Sequence, residues 1–555
     1  MKRIIKIISI ILCVSLLSTL FSSCSKEEKA IDFIYPFNCD IVSFDPQIAS
    51  TADEFLVIEN CFEGLVRVND DGKVQAGVAE SWSISDDGLV YTFQLRKGAK
   101  WRVLGKDEET LTKAQELMGK DFNPDITADD FVFALQRAVM PITDCPLFSS
   151  VSSIVNAVKI HSGKLNANKL GIKAIDNYTL EIRLSNPDDS FMTTLSTAVA
   201  MPCNRDYFEA TKGRYGLGLD YTIFNGQFYV SSILEASYIL KNNEQYIGEY
   251  PSKVSDITLK FITEESDIPK NLKSGYYDSA YISGSDYEKL GSSGITAVPY
   301  SNKTWAFLLN KNRQILSNKA LRQAVCLSIS DIDLSSHEYL TKATNLIPPS
   351  CSIYGTSADK ALGTTVQVPN SEKASEMWKK GLSETGYTSA SFTVIATEDM
   401  EDIVKLYAQG IQSSIGQVTG YDYNQRKNSI TFSLEIKLLN QKEFSSAISN
   451  GEYDLALYQF ESSSHSAVNF LSNTINGNIA GEIPSAEAAL KKAQSANSGN
   501  AVKRIKACEK ALLEDYSIYP VMFESSYYAQ AEGVSGVDFH PGSGRVCFVN
   551  ATREE

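Results

Sequence analysis

The chain has 555 residues, 52 Lys and Arg against 67 Asp and Glu, a formal charge of −15, and 43% hydrophobic residues. The acidic balance argues against nucleic acid and against adhesion to an anionic membrane surface. The length exceeds what one hydrophobic core supports, so at least two lobes are expected.

At the N-terminus, Lys2, Arg3 and Lys6 precede the apolar run Ile7 to Phe21, which is short for a membrane helix and has the layout of a secretory signal. Its end, Phe21-Ser22-Ser23-Cys24, looks like a bacterial lipobox. Residues 1–23 are therefore expected to be a lipoprotein signal peptide, with Cys24 lipidated as the mature N-terminus and 24–30 a polar tether; a plain signal peptide is the alternative. Losing the three cations would take the charge from −15 to −18. No other segment approaches 18 consecutive apolar residues, so the body should touch the membrane through its lipid anchor only.

Strand-like Ile31 to Phe37 leads to Phe44-Asp45-Pro46. In Asn60 to Gly98, the pairs Asp71-Gly72 and Asp87-Gly88 flanked by apolar alternation predict hairpins, because Gly supplies positive φ without strain. Tyr91, Phe93 and Leu95 alternate with Thr92, Gln94 and Arg96, as in a strand buried on one face. Between Trp101 and Thr127 an insertion, centred on 105–124, carries Leu111, Ala114, Leu117 and Met118 at helical spacing with Gly119 to close a short surface helix. Thr127, Asp129 and Asp130 give an N-cap and an acidic first turn for a helix through Val139.

Further strands are expected at Thr179 to Leu184 and Ile257 to Ile262, and a new unit begins near Trp305. Strands at Phe392 to Ala396 and Thr431 to Leu439 bracket a helix in a β-α-β unit. Two Ala-rich helices, Ser485 to Ala496 and Ala501 to Glu514, then lead into Tyr519-Pro520-Val521-Met522-Phe523.

Catalytic motifs are missing: there is no G-x-S-x-G elbow, phosphate loop or H-E-x-x-H helix. His161, His337, His465 and His540 are too dispersed to suggest a metal cluster, and neither a metal nor a cofactor is expected. The eight cysteines beyond Cys13 and Cys24 show no C-x-x-C spacing, so buried inert thiols are favoured, with one or two disulfides left open.

Several landmarks stand in a recognisable order. They are Phe44-Asp45-Pro46, Glu63-Gly64-Leu65, Val78-Ala79-Glu80-Ser81-Trp82, Asp87-Gly88 leading to Tyr91-Thr92-Phe93-Gln94-Leu95-Arg96, Ser274-Gly275-Tyr276-Tyr277-Asp278, and Ala320-Leu321-Arg322-Gln323-Ala324. The chain thereby resembles the family 5 solute-binding proteins, the dipeptide and oligopeptide receptors of ABC importers, over nearly its whole mature length. It departs from them at Ser328-Ile329-Ser330-Asp331, where the family has Ala-Ile-Asp-Arg, and in the insertion.

The resemblance implies an α/β, two-lobed fold of the periplasmic-binding-protein type II class, in its large cluster with an extra domain, having mixed sheets flanked by helices. It divides the chain into a discontinuous lobe I (31–61, 202–303 and 520–555), an additional domain (62–201) and lobe II (304–519). It implies no enzyme but a monomeric receptor that closes on a solute, a peptide first of all, and passes it to ABC permease subunits. Receptors for a metal complex or an oligosaccharide, and a surface sensor or scaffold, are the alternatives.

For the ligand site, the strand ending at Phe460 and the loop after it are the leading region, because loops at the carboxyl ends of strands bind ligands in α/β proteins. Phe460, Glu461, Ser463 and His465 are the candidates there. The family's ammonium-binding Asp falls at Ser463, whose hydroxyl cannot neutralise a cation, so Glu461 becomes the alternative anchor. Ser50 and Thr51, after Asp45-Pro46, and Trp305, as a stacking surface, complete the set; an ordinary polar loop and a core Trp are the plainer readings.

Overall fold

In a computed structural model, the structure describes residues 31–554 apart from 39–40, 70–72, 104–112, 120–121, 250–251, 263–266, 292–293, 388, 419–430, 463–464, 497–498 and 541–544. Signal, lipobox and tether lie outside these residues, as do Ser463, Cys39 and the Asp71-Gly72 turn.

The first strand, Ile31–Phe37, pairs in parallel with Val254–Phe261, which continues through Ser237–Asn242 to Phe228–Leu234 in a four-stranded sheet. A second four-stranded sheet runs Ala79–Ile84, Val90–Leu95, Thr179–Arg183, Ile172–Asp176, antiparallel throughout. Its first hairpin turns at Gly88, with φ +70°. Tyr91, Phe93 and Leu95 are buried there, as the alternation predicts. The helix Ala128–Val139 begins where its cap was read: the Asp130 carboxylate accepts from the Thr127 N–H at 2.8 Å. The insertion contributes the helix Lys113–Met118, followed by Gly119 at φ +83°.

The largest sheet is mixed, in the order Ser279–Ile282, Ile518–Gln530, Thr296–Leu309, Leu455–Glu461, Ser389–Thr397, Thr431–Leu439, with Leu340–Lys342 also on Ile518–Gln530. The last two strands are parallel, with the helix Glu401–Val418 between them, the expected β-α-β unit. Helices Pro484–Gln494 and Ala501–Leu513 pack over the sheet.

Apolar burial is divided. One large cluster gathers Phe33, Phe62, Phe93, Trp101 and Phe131 with Tyr300, Tyr528 and Phe539. Two others gather residues between Trp305 and Met522 on the faces of the mixed sheet. The 14-residue strand Thr296–Leu309 and the 13-residue strand Ile518–Gln530 belong to both sides, since Tyr300 and Tyr528 pack in the first cluster while Phe307 and Met522 pack in the second. The divisions read at 303/304 and 519/520 fall inside these two strands. None of the seven described cysteines, Cys61, Cys145, Cys203, Cys326, Cys351, Cys508 and Cys547, forms a disulfide, and all are buried.

Candidate functional site

Between the two sides, the strand Thr296–Leu309 breaks its apolar run with Ser301-Asn302-Lys303-Thr304, and its register with Ile518–Gln530 slips between Tyr300 and Lys303. Register places Lys303 opposite Glu461 on one neighbour and opposite Glu524 on the other. Directly opposed residues project to one face of a sheet, so two carboxylates flank one ammonium.

The bonds are unequal. Glu524 Oε1 accepts from Lys303 Nζ at 3.3 Å, while its Oε2 accepts from Trp305 Nε1 at 2.6 Å and Gln459 Nε2 at 3.2 Å. Glu461 Oε1 accepts from Asn302 Nδ2 at 2.8 Å, and the Glu461 side chain is exposed. Ser301 and Ser525 hydroxyls meet at 2.5 Å. Tyr281 and Tyr300 face each other edge-on at 5.9 Å, and burial raises both phenol pKa values, with Glu461 adding to the shift.

After Glu461 the chain is tied down by backbone bonds. The Ser462 N–H donates to the Asn302 carbonyl at 2.9 Å, and the His465 carbonyl accepts from the Ser352 N–H at 2.8 Å. Ser466 then caps the helix Ala467–Asn476, its hydroxyl accepting from the Asn469 N–H at 3.3 Å. His465 lies edge-on to His540 at 5.3 Å. Burial lowers both imidazole pKa values, that of His540 to about 3, with His465 and Arg545 adding to it, so both rings are neutral at pH 7.

Beyond Ser466 a cavity of about 250 Å³ opens between the segment 149–189 and the segments 352–354 and 466–505. Its lining is mostly hydroxyl, amide and carboxylate, including Ser153, Asp188, Asp189, Tyr354 and Asn469. At its edge the Tyr354 N–H donates to Asp189 Oδ2 at 2.5 Å, and burial raises the Asp189 pKa.

The sequence candidates fall into groups. Glu461 ends the strand Leu455–Glu461 and is exposed, Phe460 before it is 6% exposed, and His465 lies in the loop that follows, against His540. Trp305 is only 5% exposed and its indole N–H is committed to Glu524, so it presents no stacking face. Ser50 and Thr51 are exposed but serve a helix start: the Glu54 carboxylate accepts from their N–H groups at 2.8 and 3.1 Å, and Thr51 Oγ1 accepts from the Glu54 N–H. Asn302, Glu524, Tyr281, Asp189 and His540 went unread. A polar quartet inside an apolar strand was the available sign for Asn302. Nothing local marked His540, which arrives through tertiary folding. Among the described residues no three His, Cys, Asp or Glu side chains form a metal-binding group.

Two apolar bodies that share two continuous strands, with a polar stretch where those strands pass from one body to the other, define a two-lobed solute-binding fold of mixed α/β type. The comparisons specify it: the chain belongs to the bacterial extracellular solute-binding proteins, family 5, whose middle-region model matches residues 73–481. It is 25% identical over 564 residues to a dipeptide-binding protein of Lactococcus lactis, covering 96% of this chain and 97% of that protein. It is 24% identical to the oligopeptide-binding protein OppA of Bacillus subtilis, covering 92% and 90%. Among solved structures, Listeria monocytogenes OppA bound to peptide superposes with a TM-score of 0.70 at 20% identity, covering 95% of this chain and all of that one. These are binding proteins of transport systems, not enzymes. No helix among the described residues is long and apolar enough to cross a membrane.

Proposed function

We propose that this chain is the extracytoplasmic receptor of an ABC importer, held to the cell membrane by a lipid on Cys24, which captures a peptide between its lobes and delivers it to permease subunits. The observation that carries this reading is the pair of strands, Thr296–Leu309 and Ile518–Gln530, that run through both apolar bodies with a polar stretch between, in a chain aligned over nearly its whole length with relatives named for dipeptide and oligopeptide binding. Lobe I is 31–61, 202–303 and 520–555, residues 62–201 form an additional domain, and lobe II is 304–519. The lobes act as a monomeric clamp: the ligand favours the closed form by the contacts it gains there.

Glu461 is the anchor for a ligand cation, with Phe460, Ser463 and His465 beside it. An extended peptide is held largely through its backbone, and wet pockets such as the cavity lined by Asp188 and Asn469 accommodate varied side chains.

The test is thermal unfolding of the mature chain with pooled peptides, sugars and metal chelates. A ligand at 100 times its Kd adds about 2.7 kcal/mol to stability. Stabilisation by sugars or chelates and by no peptide overturns the peptide assignment. For the anchor, Cys24→Ala should release the protein from the membrane fraction; retention there refutes lipidation at Cys24.

A further inference from the structure

We propose that the contact between His465 and His540 is a pH-sensitive latch between the two apolar bodies, so that acid favours the open form of the receptor and the release of its ligand. The proposal rests on the receptor reading for the parting of the lobes. His540 ends the strand Asp538–His540, which pairs with Arg545–Cys547, and their Phe539, Val546 and Cys547 lie in the first apolar cluster. His465 stands in the loop between Phe460 and Ala467, both of which lie in a cluster on the mixed sheet. The two rings meet edge-on with centroids 5.3 Å apart, His540 buried and His465 half-buried. One imidazole from each body is thus packed against the other.

Each ring is held by its own surroundings. The His465 carbonyl accepts from the Ser352 N–H at 2.8 Å, and its imidazole lies in hydrogen-bonding contact with the Ser350 backbone. His540 stands opposite Arg545 in register, and the Arg545 guanidinium, itself buried, donates from Nη2 to the Val68 carbonyl. Directly opposed residues project to one face of a ribbon, so a fixed cation faces His540 from the paired strand while a second imidazole faces it from the other body.

The charged groups around the contact oppose a proton on it. Burial lowers both imidazole pKa values first of all, with His465 and Arg545 adding to the effect at His540, while the Ser350 backbone favours the proton on His465. The acids nearby are engaged elsewhere. Burial raises the pKa of Glu59, the carboxyl on which Arg545 acts, to about 8, so it supplies no counter-charge at pH 7. Asp538, two residues before His540, accepts from Asn550 Nδ2 at 3.2 Å and acts on Arg67. Glu461 accepts from Asn302 and acts on Tyr281 and Tyr300.

Parting the lobes gives both rings water and separates them, which returns them toward the ordinary imidazole range. The open form then binds more protons than the closed one, so ligand affinity is complete above about pH 6.5 and declines as pH falls. A His540 ring that moves from about 3 in the closed form to about 6.5 in water accounts alone for roughly a 30-fold loss of affinity between pH 7.5 and pH 5.0.

The experiment is equilibrium dialysis of the mature chain against a random tetrapeptide library at pH 7.5 and pH 5.0, with small-angle X-ray scattering at the same pH values, on the wild type, His540→Gln and His465→Gln. The melting temperature of each protein at each pH checks folding. The wild type is expected to lose at least tenfold in affinity at pH 5.0 and to show a larger radius of gyration there. His540→Gln should bind as the wild type does at pH 7.5 and stay within threefold of that affinity at pH 5.0; if it does not fold, His465→Gln carries the comparison of the two pH values. An equal fall in wild type and folded variant, or no fall in the wild type, overturns the latch and leaves the peptide reading standing. If the library binds at neither pH, the peptide reading is overturned and scattering decides the latch: expansion at pH 5.0 in the wild type but not in the variant supports it, and equal behaviour overturns it.

Discussion

The buried ion pair between Asp45 and Arg137 should be among the most sensitive points of the fold. Their side chains are 3% and 4% exposed, and Arg137 makes a two-pronged contact to the carboxylate, with Nη1 3.1 Å from Asp45 Oδ1 and Nη2 on Oδ2. Nη1 also donates to Gln47 Oε1 at 2.8 Å, and the guanidinium stacks 4.2 Å over the Phe208 ring. Asp45→Ala removes two charge-assisted bonds, each contributing roughly 1.5–3 kcal/mol, and strands a buried cation. The expected loss is about 3–5 kcal/mol, the range for breaking a buried pair from one side. Arg137→Met should cost about as much, but the double variant Asp45→Ala/Arg137→Met should cost much less than the sum, because neither charge is then left alone. Urea unfolding followed by the fluorescence of Trp101, fully buried in the same core cluster, reads this directly. Additive losses, or a single-variant loss under 1 kcal/mol, would show that the pair is not what binds the entry segment to the helix Ala128–Val139.

Two further outcomes follow from other buried groups. Glu509 is fully buried and accepts from the Leu346 and Ile347 N–H groups at 2.8 and 2.9 Å, so Glu509→Leu, which strands both donors, should cost on the order of 3 kcal/mol in urea unfolding. For His465 and His540 the folded pKa lies below the unfolded value, so the unfolded chain binds more protons as pH drops. Their stability contribution is complete above about pH 6.5 and declines as pH falls toward each folded pKa, about 3 for His540, with a slope of at most about 1.4 kcal/mol per pH unit for each ring. His540→Gln should flatten the loss of stability between pH 7 and pH 5, and an unchanged pH profile would refute that account.

Local rules carried the scaffold. The Asp87-Gly88 hairpin, the alternating Tyr91 to Leu95 strand and the Thr127 cap each depend on residues within a few positions, and each stands where the sequence put it. Phe44-Asp45-Pro46 was legible only as a landmark. Its physical meaning, an anion for Arg137 92 residues away, needed the tertiary structure. Glu461 and His465 were read from their place at the end of a strand and in the loop after it, whereas the bonds of Asn302 to Glu461, of Glu524 to Trp305 and the contact of His540 with His465 arise through register and tertiary folding. Trp305 takes the plainer of its two readings, a buried Trp, and its polar partner, Glu524, lies 219 positions away where no local pattern shows it.

The two carboxylates beside Lys303 make a last distinction that sequence could not draw. Both oxygens of Glu524 are occupied, by Lys303 on one side and by Trp305 and Gln459 on the other, and these groups come from the two strands next in order across the sheet. Glu524 is therefore first of all a tie across the sheet, with three donors from its own chain on its two oxygens. Among the described residues Glu461 is bonded to Asn302 through Oε1, and its side chain is exposed. Glu461→Gln should thus weaken a cationic-amine ligand more than tenfold, about 1.4 kcal/mol or more, with little change in unfolding. Glu524→Gln should do the opposite, lowering the urea midpoint while the preference for a charged over an acetylated amine persists. If Glu524→Gln abolishes that preference and Glu461→Gln preserves it, the roles of the two carboxylates are reversed, and the choice of ligand charge belongs to the strand Ile518–Gln530 rather than to the loop after Glu461.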